Sequence, residues 1–180
     1  APVHPILTPR KFREELMTGL IASPAALPDP PGASVVADGW FPPVPLEKVR
    51  DRLRLGAGAI PTPLLTEAIE GAMLHAFREL ASWRSDRASE GAESLADVTD
   101  LTINGENRAV VLWERVVRYF AAADLFAENR DISATDQGLD RAAEKESTSD
   151  EYRRNALAAV ADLRSIGAAT PVPRNRVSLL

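Results

Sequence analysis

Two histidines, His4 and His75, are the only side chains here with an ordinary pKa close to neutrality, and the chain has no cysteine. Glu79 follows His75 by four residues, the spacing at which an imidazole and a carboxylate share a helix face and hold a metal or relay a proton. No second histidine lies on that segment, and an ordinary surface pair has the same spacing. His4 sits in an apolar, proline-bearing stretch, residues 1–8. A second group is acidic: Asp124, Glu128, Asp131, Asp136 and Asp140. Paired carboxylates serve glycoside hydrolysis and magnesium-dependent chemistry. Here Arg130, Arg141 and Lys145 are interleaved with them, and the alternating oxygen ligands of a calcium loop are missing, so the acids read as solvated surface. Gly56-Ala57-Gly58 has neither the following lysine nor the helix start of a phosphate-cradling loop. Without cysteine, disulfides and thiolate zinc sites are excluded. No catalytic residue, metal ligand or cofactor is assigned.

The remaining chemistry is electrostatic. Lys48, Arg50, Arg52 and Arg54 form a local basic patch, with Arg50 and Arg54 on one helix face and directed outward. The whole chain carries 21 basic and 26 acidic residues, a net charge of -5, which argues against a general nucleic-acid binder. With no aromatic interleaving, the patch either meets phosphates non-specifically, along a DNA path, or forms salt bridges to Glu47, Asp51 or a neighbour.

The elements that position these residues are helical. Thr8-Pro9 resembles a cap and first helical position, and Phe12, Leu16 and Leu20 predict a short helix over about 9–21. Residues 23–45 carry Pro24, Pro28, Pro30, Pro31, Pro42, Pro43 and Pro45, a density that forbids a long regular element and predicts a linker or a strap. Pro45 then opens a short helix with Leu46, Val49 and Leu53 on one face, expected to leave through the glycines at 56 and 58. Thr62-Pro63 reads as a second cap and start, and Leu65, Ile69, Met73, Phe77 and Leu80 continue the stripe over 63–86. Gly71 inside it suggests close helix–helix approach. Asn104-Gly105 reads as a turn leading into a helix over 106–129, in preference to a hairpin, because the flanks alternate poorly. Val110 to Leu125 leave that helix only a narrow polar stripe at Glu114, Arg115 and Arg118, which makes it the central one. Residues 130–147 read as a long polar connection, with a short helix near 139–145 as an alternative. Ser147, Thr148 or Ser149 then caps the last helix, whose buried stripe is Tyr152, Ala156, Ala159, Val160 and Leu163.

A hydrophobic fraction of 45% with only 6% aromatic residues, much of it alanine, favours closely packed helices. No apolar run reaches membrane-spanning length. Arg10, Lys11, Arg13, Glu14 and Glu15 occupy the place where a signal peptide would be apolar, so a cytoplasmic protein is the expectation. The fold class is all-α, a small bundle of about four to five helices with an extended proline-rich N-terminal arm and an extended C-terminal tail. The parts are an arm over 1–37, a helical body over 38–169 and a tail over 170–180.

Five segments, WFPPVPLEKVRDRLRL from Trp40, PTPLLTEAIEGAMLHAFRELASWR from Pro61, ESLADV from Glu93, ENRAVVLWERVVRYFAAADLFAENRD from Glu106 and PRNRVSLL from Pro173, strongly resemble the head completion, or head stabilisation, proteins of contractile-tailed temperate bacteriophages. The likeness runs in order over about 38–180, while the front of the chain and the loop ATDQGLDRAAEKESTSD take a different form. The resemblance implies a non-enzymatic connector of the virion neck, assembled in the host cytoplasm. It implies a homo-oligomeric ring of roughly twelve copies beneath the portal protein, presenting a platform to the next neck or tail-completion protein. Genomic DNA would pass close by without tight binding, and no membrane is involved. On this reading Arg174, Arg176, Val177, Ser178, Leu179 and Leu180 dock to the portal or another partner. Trp40, Phe41, Pro42 and Pro45 anchor the strap, against a core or an adjacent copy. Lys48, Arg50, Arg52 and Arg54 face the DNA path or form salt bridges.

Overall fold

The computed structural model describes residues 28–55, 60–128 and 136–174, with side chains described for all of these except 136–147. The predicted helix over 9–21, the glycines at 56 and 58 and the tail from 175 onward lie outside the described residues. The element order is β1 (Ser34–Val35), β2 (Val44–Pro45), α1 (Leu46–Leu53), α2 (Thr62–Ser89), a 3-10 turn (Leu95–Val98), β3 (Thr102–Ile103), β4 (Glu106–Asn107), α3 (Arg108–Glu128) and α4 (Asp136–Arg164). The chain is a mostly α bundle with two small antiparallel ribbons.

Helix α3 is the hub. Leu112, Trp113, Val116, Val117, Phe120, Ala121, Ala122, Ala123 and Leu125 are all buried on it, and it packs against both α2 and α4. Its alanine run is what permits the close approach to α4, whose facing residues include Ala156 and Ala159. Ser149 sits inside this seam, where its hydroxyl donates to the Ala123 carbonyl at 2.8 Å and so satisfies a buried polar group. The stripe of α2 is as expected, with Leu65, Ile69, Met73 and Leu80 buried and Phe77 half-buried.

Four expectations are corrected. Helix α4 begins at Asp136, so Ser147, Thr148 and Ser149 lie within it and cap nothing. The segment RAAEKE at 141–146 consists of good helix formers, and its polarity concealed that propensity. Asn104-Gly105 closes a true hairpin: φ is 52° at Asn104 and 79° at Gly105, the positive pair of a type I′ turn, and Thr102 pairs with Asn107. Each strand has only two residues, too few for alternation to show. Thr62 does not cap α2, because Pro61 holds the N-cap position, and the Thr62 hydroxyl bonds elsewhere. Finally, α1 ends at a left-handed Arg54 (φ 55°), ahead of the glycines. The Arg54 N–H donates to the Asp51 carbonyl at 3.2 Å and the Leu55 N–H to the Arg50 carbonyl at 2.9 Å, a Schellman closure.

Gly71 faces α3, but a methyl group there would meet Asp124 Oδ2 at 3.5 Å, an ordinary contact. Gly167, just past α4, is different. Its φ is +75°, and a Cβ there would run into the Arg87 guanidinium.

Candidate functional site

The proline-rich entrance folds onto the body of its own chain. Ser34–Val35 pairs with Val44–Pro45, and the Leu46 N–H donates to the Ala33 carbonyl at 3.0 Å, which sets the start of α1. Trp40 and Phe41 are 7% and 1% exposed, so both rings belong to this chain's core. Phe41 stacks on Trp113 at 4.3 Å between centroids, while Trp40 meets Phe41 and Trp83 edge-on. Pro42 contributes its carbonyl, which accepts a bond from Trp113 Nε1 at 3.0 Å, and Pro45 is the N-cap residue of α1. The other indoles also donate to backbone: Trp40 Nε1 to the Ala92 carbonyl at 3.2 Å and Trp83 Nε1 to the Ile166 carbonyl at 3.1 Å. Asp38 accepts from the N–H groups of Trp40 and Phe41 and pairs with Arg84, whose guanidinium lies over both rings. Burial pushes the Asp38 carboxyl up, but these bonds together hold it below its ordinary value.

The four-residue basic patch does not exist as one surface. Arg50 points inward, which corrects its outward assignment. Its Nε donates to Asp29 Oδ2 at 2.5 Å and its Nη2 to Asp29 Oδ1 at 2.9 Å, while Nη1 donates to the Ile60 carbonyl at 2.8 Å. Thr62 Oγ1 donates to Asp29 Oδ1 at 2.6 Å, completing a knot that ties the strap, α1 and the start of α2. The Arg50 bond, helped by Thr62, holds the Asp29 carboxyl below its ordinary range against the opposing effect of burial. Lys48 bridges Glu114 at 2.8 Å and Glu106 at 3.5 Å, and the Glu114 bond holds its pKa above the usual lysine value. The partners are therefore Asp29, Glu106 and Glu114, not the expected Glu47 and Asp51. Arg52 and Arg54 are exposed.

Sequence reasoning missed Asp29, although an acid between two prolines at the foot of a strap was the signal for an anchor. It also missed Asn107, which directly precedes α3 as a helix cap would. The Asn107 Oδ1 accepts from the N–H groups of Ala109 and Val110, at 2.9 and 3.4 Å. Its Nδ2 donates to the Ala96 and Thr99 carbonyls, at 2.9 and 2.7 Å, fastening the 3-10 turn to the helix.

At the other end, Arg174 grips Asp162 with two bonds, at 2.9 and 3.0 Å, and the Val172 N–H donates to Ser165 Oγ at 2.9 Å. The Asp162 bond also raises the Arg174 pKa. The chain thus leaves α4 pinned back along it. Arg176, Val177, Ser178, Leu179 and Leu180 lie outside the described residues.

The catalytic candidates are not assembled. His75 is exposed and stacks on Phe120 at 5.5 Å, with its Nδ1 at 2.6 Å from Arg78 Nη2. Asp124 lies 4.0 Å from Arg153, and Asp136 and Asp140 fall on the backbone of α4, away from the expected loop. His4 and Asp131 lie outside the described residues. Among the described residues no group of three His, Asp or Glu side chains could hold a metal ion, and no helix is long and apolar enough to cross a membrane.

The described body is a helical bundle to which Asp29, Asp38, Asn107 and Asp162 fasten extended segments. The chain belongs to the phage head completion protein (GPL) family, whose model matches residues 35–171. It is 34% identical over 140 residues to the head completion/stabilization protein of Escherichia phage P2, covering 77% of this chain and 82% of that relative. No solved structure matches.

Proposed function

We propose that this protein completes the DNA-filled phage head as a non-enzymatic connector in the virion neck. Copies assemble in the host cytoplasm as a closed ring of roughly twelve beneath the portal, each using the same two patches toward its neighbours. The ring holds the packaged genome and offers a platform to the next neck or tail component. The observation that carries this reading is the family membership, whose match over residues 35–171 takes in every helix from α1 to α4.

The anchors fit that role. A connector needs a rigid body with extended ends leaving from fixed points, and the Asp29–Arg50 knot and the Arg174–Asp162 pair supply such points. On this reading the parts are an arm up to residue 37, the body, and a docking tail from residue 170. Residues 28–37 of the arm lie against the body, and the tail's docking residues are Arg174 and, after it, Arg176, Val177, Ser178, Leu179 and Leu180. With Arg50 buried and Lys48 paired, only Arg52 and Arg54 of the helix α1 patch stay free for phosphates, which weighs against a DNA-binding packaging accessory. A net charge of -5 also suits a conduit through which DNA must slide.

A reconstruction of the particle neck tests the proposal. Density for this chain between portal and tail is expected; its absence from that region overturns the reading. Removal of Val177 to Leu180 is expected to abolish attachment to heads with helicity retained, and unchanged attachment removes the tail from the docking role.

A further inference from the structure

Helix α3 carries a further arginine pair, Arg115 exposed and Arg118 half-buried. The guanidinium carbons of Arg115 and Arg118 lie 5.3 and 5.1 Å from the centre of the Tyr119 ring. Tyr119 in turn lies 6.0 Å from Tyr152 of α4, which stacks on Phe126 at 5.3 Å. Arg118 and Arg52 of α1 line one shallow cleft together with Val44, Val49, Lys48 and Glu114. The Lys48–Glu114 pair is internally neutral, whereas Arg52, Arg115 and Arg118 have no carboxylate partner among the described residues. Arg50, Arg84 and Arg174, by contrast, are each paired with an aspartate of the same chain.

We infer that this α1–α3 face, with Arg115 and Arg118 laid over Tyr119 and Arg52 beside Arg118 along the cleft, docks a carboxylate-bearing protein surface of another head component. The inference rests on the connector reading and names one contact surface within it. Two guanidiniums laid over one ring are pre-oriented, so little side-chain entropy remains to be lost on binding, and their planar forks match carboxylates. Arginine and tyrosine around a half-buried aromatic floor are the residue types that dominate protein–protein contacts. Duplex DNA fits less well. The chain as a whole carries a net charge of -5, which disfavours a phosphate track.

The test uses DNA-filled heads made without this protein, purified full-length chain, and co-sedimentation. The R115E/R118E variant is expected to bind at least roughly tenfold more weakly, with an unchanged helical spectrum, because neither arginine holds an ion pair. The R115K/R118K variant keeps the charge but loses the planar fork, and intermediate binding is expected. Wild-type binding is expected to weaken as salt rises and to survive nuclease treatment. R115E/R118E binding equal to wild type overturns the inference. So does R115- and R118-dependent binding to a 30-base-pair duplex with nuclease-sensitive head attachment, which would make the face a nucleic-acid surface. Failure of the wild-type chain itself to bind heads is a different result: it removes the connector reading, and this contact with it.

Discussion

Arg50 and Asp29 form a two-pronged ion pair in which the side chains are only 9% and 11% exposed, so the strap is held to α1 by a charge that water barely reaches. Removing one partner leaves the other charged and largely desolvated. D29A is expected to cost about 3 kcal/mol in denaturant unfolding, with a similar loss for R50A. A double variant that replaces both by apolar residues should recover much of that loss.

The same pair sets an acid response. The folded pKa of Asp29 is depressed, so the unfolded chain binds the proton more readily and stability rises with pH. The contribution is complete above the unfolded carboxyl value, near pH 4, and is lost as pH falls through the lower folded value. Asp38 acts in the same direction. Chemical denaturation at pH steps between about 2 and 6 is expected to show a shallower acid loss in D29N than in wild type. Parallel curves would remove Asp29 from the explanation.

Asn107 separates capping from tethering. Aspartate caps a helix as well as asparagine does, but it cannot donate to the Ala96 and Thr99 carbonyls. N107D is therefore expected to destabilise by roughly 2 kcal/mol or more, measured by thermal or urea unfolding. Equal stability of N107D and wild type would show that the cap alone matters.

The two glycines next to helix-borne side chains should respond oppositely. G167A puts a β-carbon on a left-handed backbone, with the Arg87 guanidinium free to move aside, and is expected to cost about 1–2 kcal/mol. G71A meets only an ordinary contact and removes flexibility from a helix interior, so a gain of about 0.5–1 kcal/mol is expected. Urea midpoints measured in parallel compare the two.

Arg54 offers a further gain. Its positive φ costs about 1 kcal/mol relative to glycine, and R54G is expected to raise stability by about that amount while keeping the Schellman bonds. A lower melting temperature for R54G would mean that the arginine side chain contributes more than its backbone costs.

The sequence reveals most about the parts governed by helical period. Leu65, Ile69, Met73 and Leu80, and the nearly all-apolar α3, are legible because burial repeats every three or four residues. Helix α4 is less legible in its first half, where the segment between Asp136 and Ser147 offers polar residues to a period count. The hairpin is hidden by its brevity. The interaction surface is obscured for a different reason. Lys48, Arg50, Arg52 and Arg54 are neighbours in the chain, yet the directions of Lys48 and Arg50 are decided by Asp29, Glu106 and Glu114, between 21 and 66 residues away. Such long-range pairings leave no periodic trace. The arginines of α3 were visible as a polar stripe, but their position over Tyr119 needed the rotamers.

The three indoles carry an evolutionary consequence. Each fastens a distant segment by its main-chain oxygen, at Pro42, Ala92 and Ile166. A peptide carbonyl is offered by every amino acid, so mutation at those three receiving positions leaves the fastening chemistry unchanged. Selection on these joints therefore falls on the tryptophans, while a receiving side chain answers only to its own packing, as the buried Ile166 does.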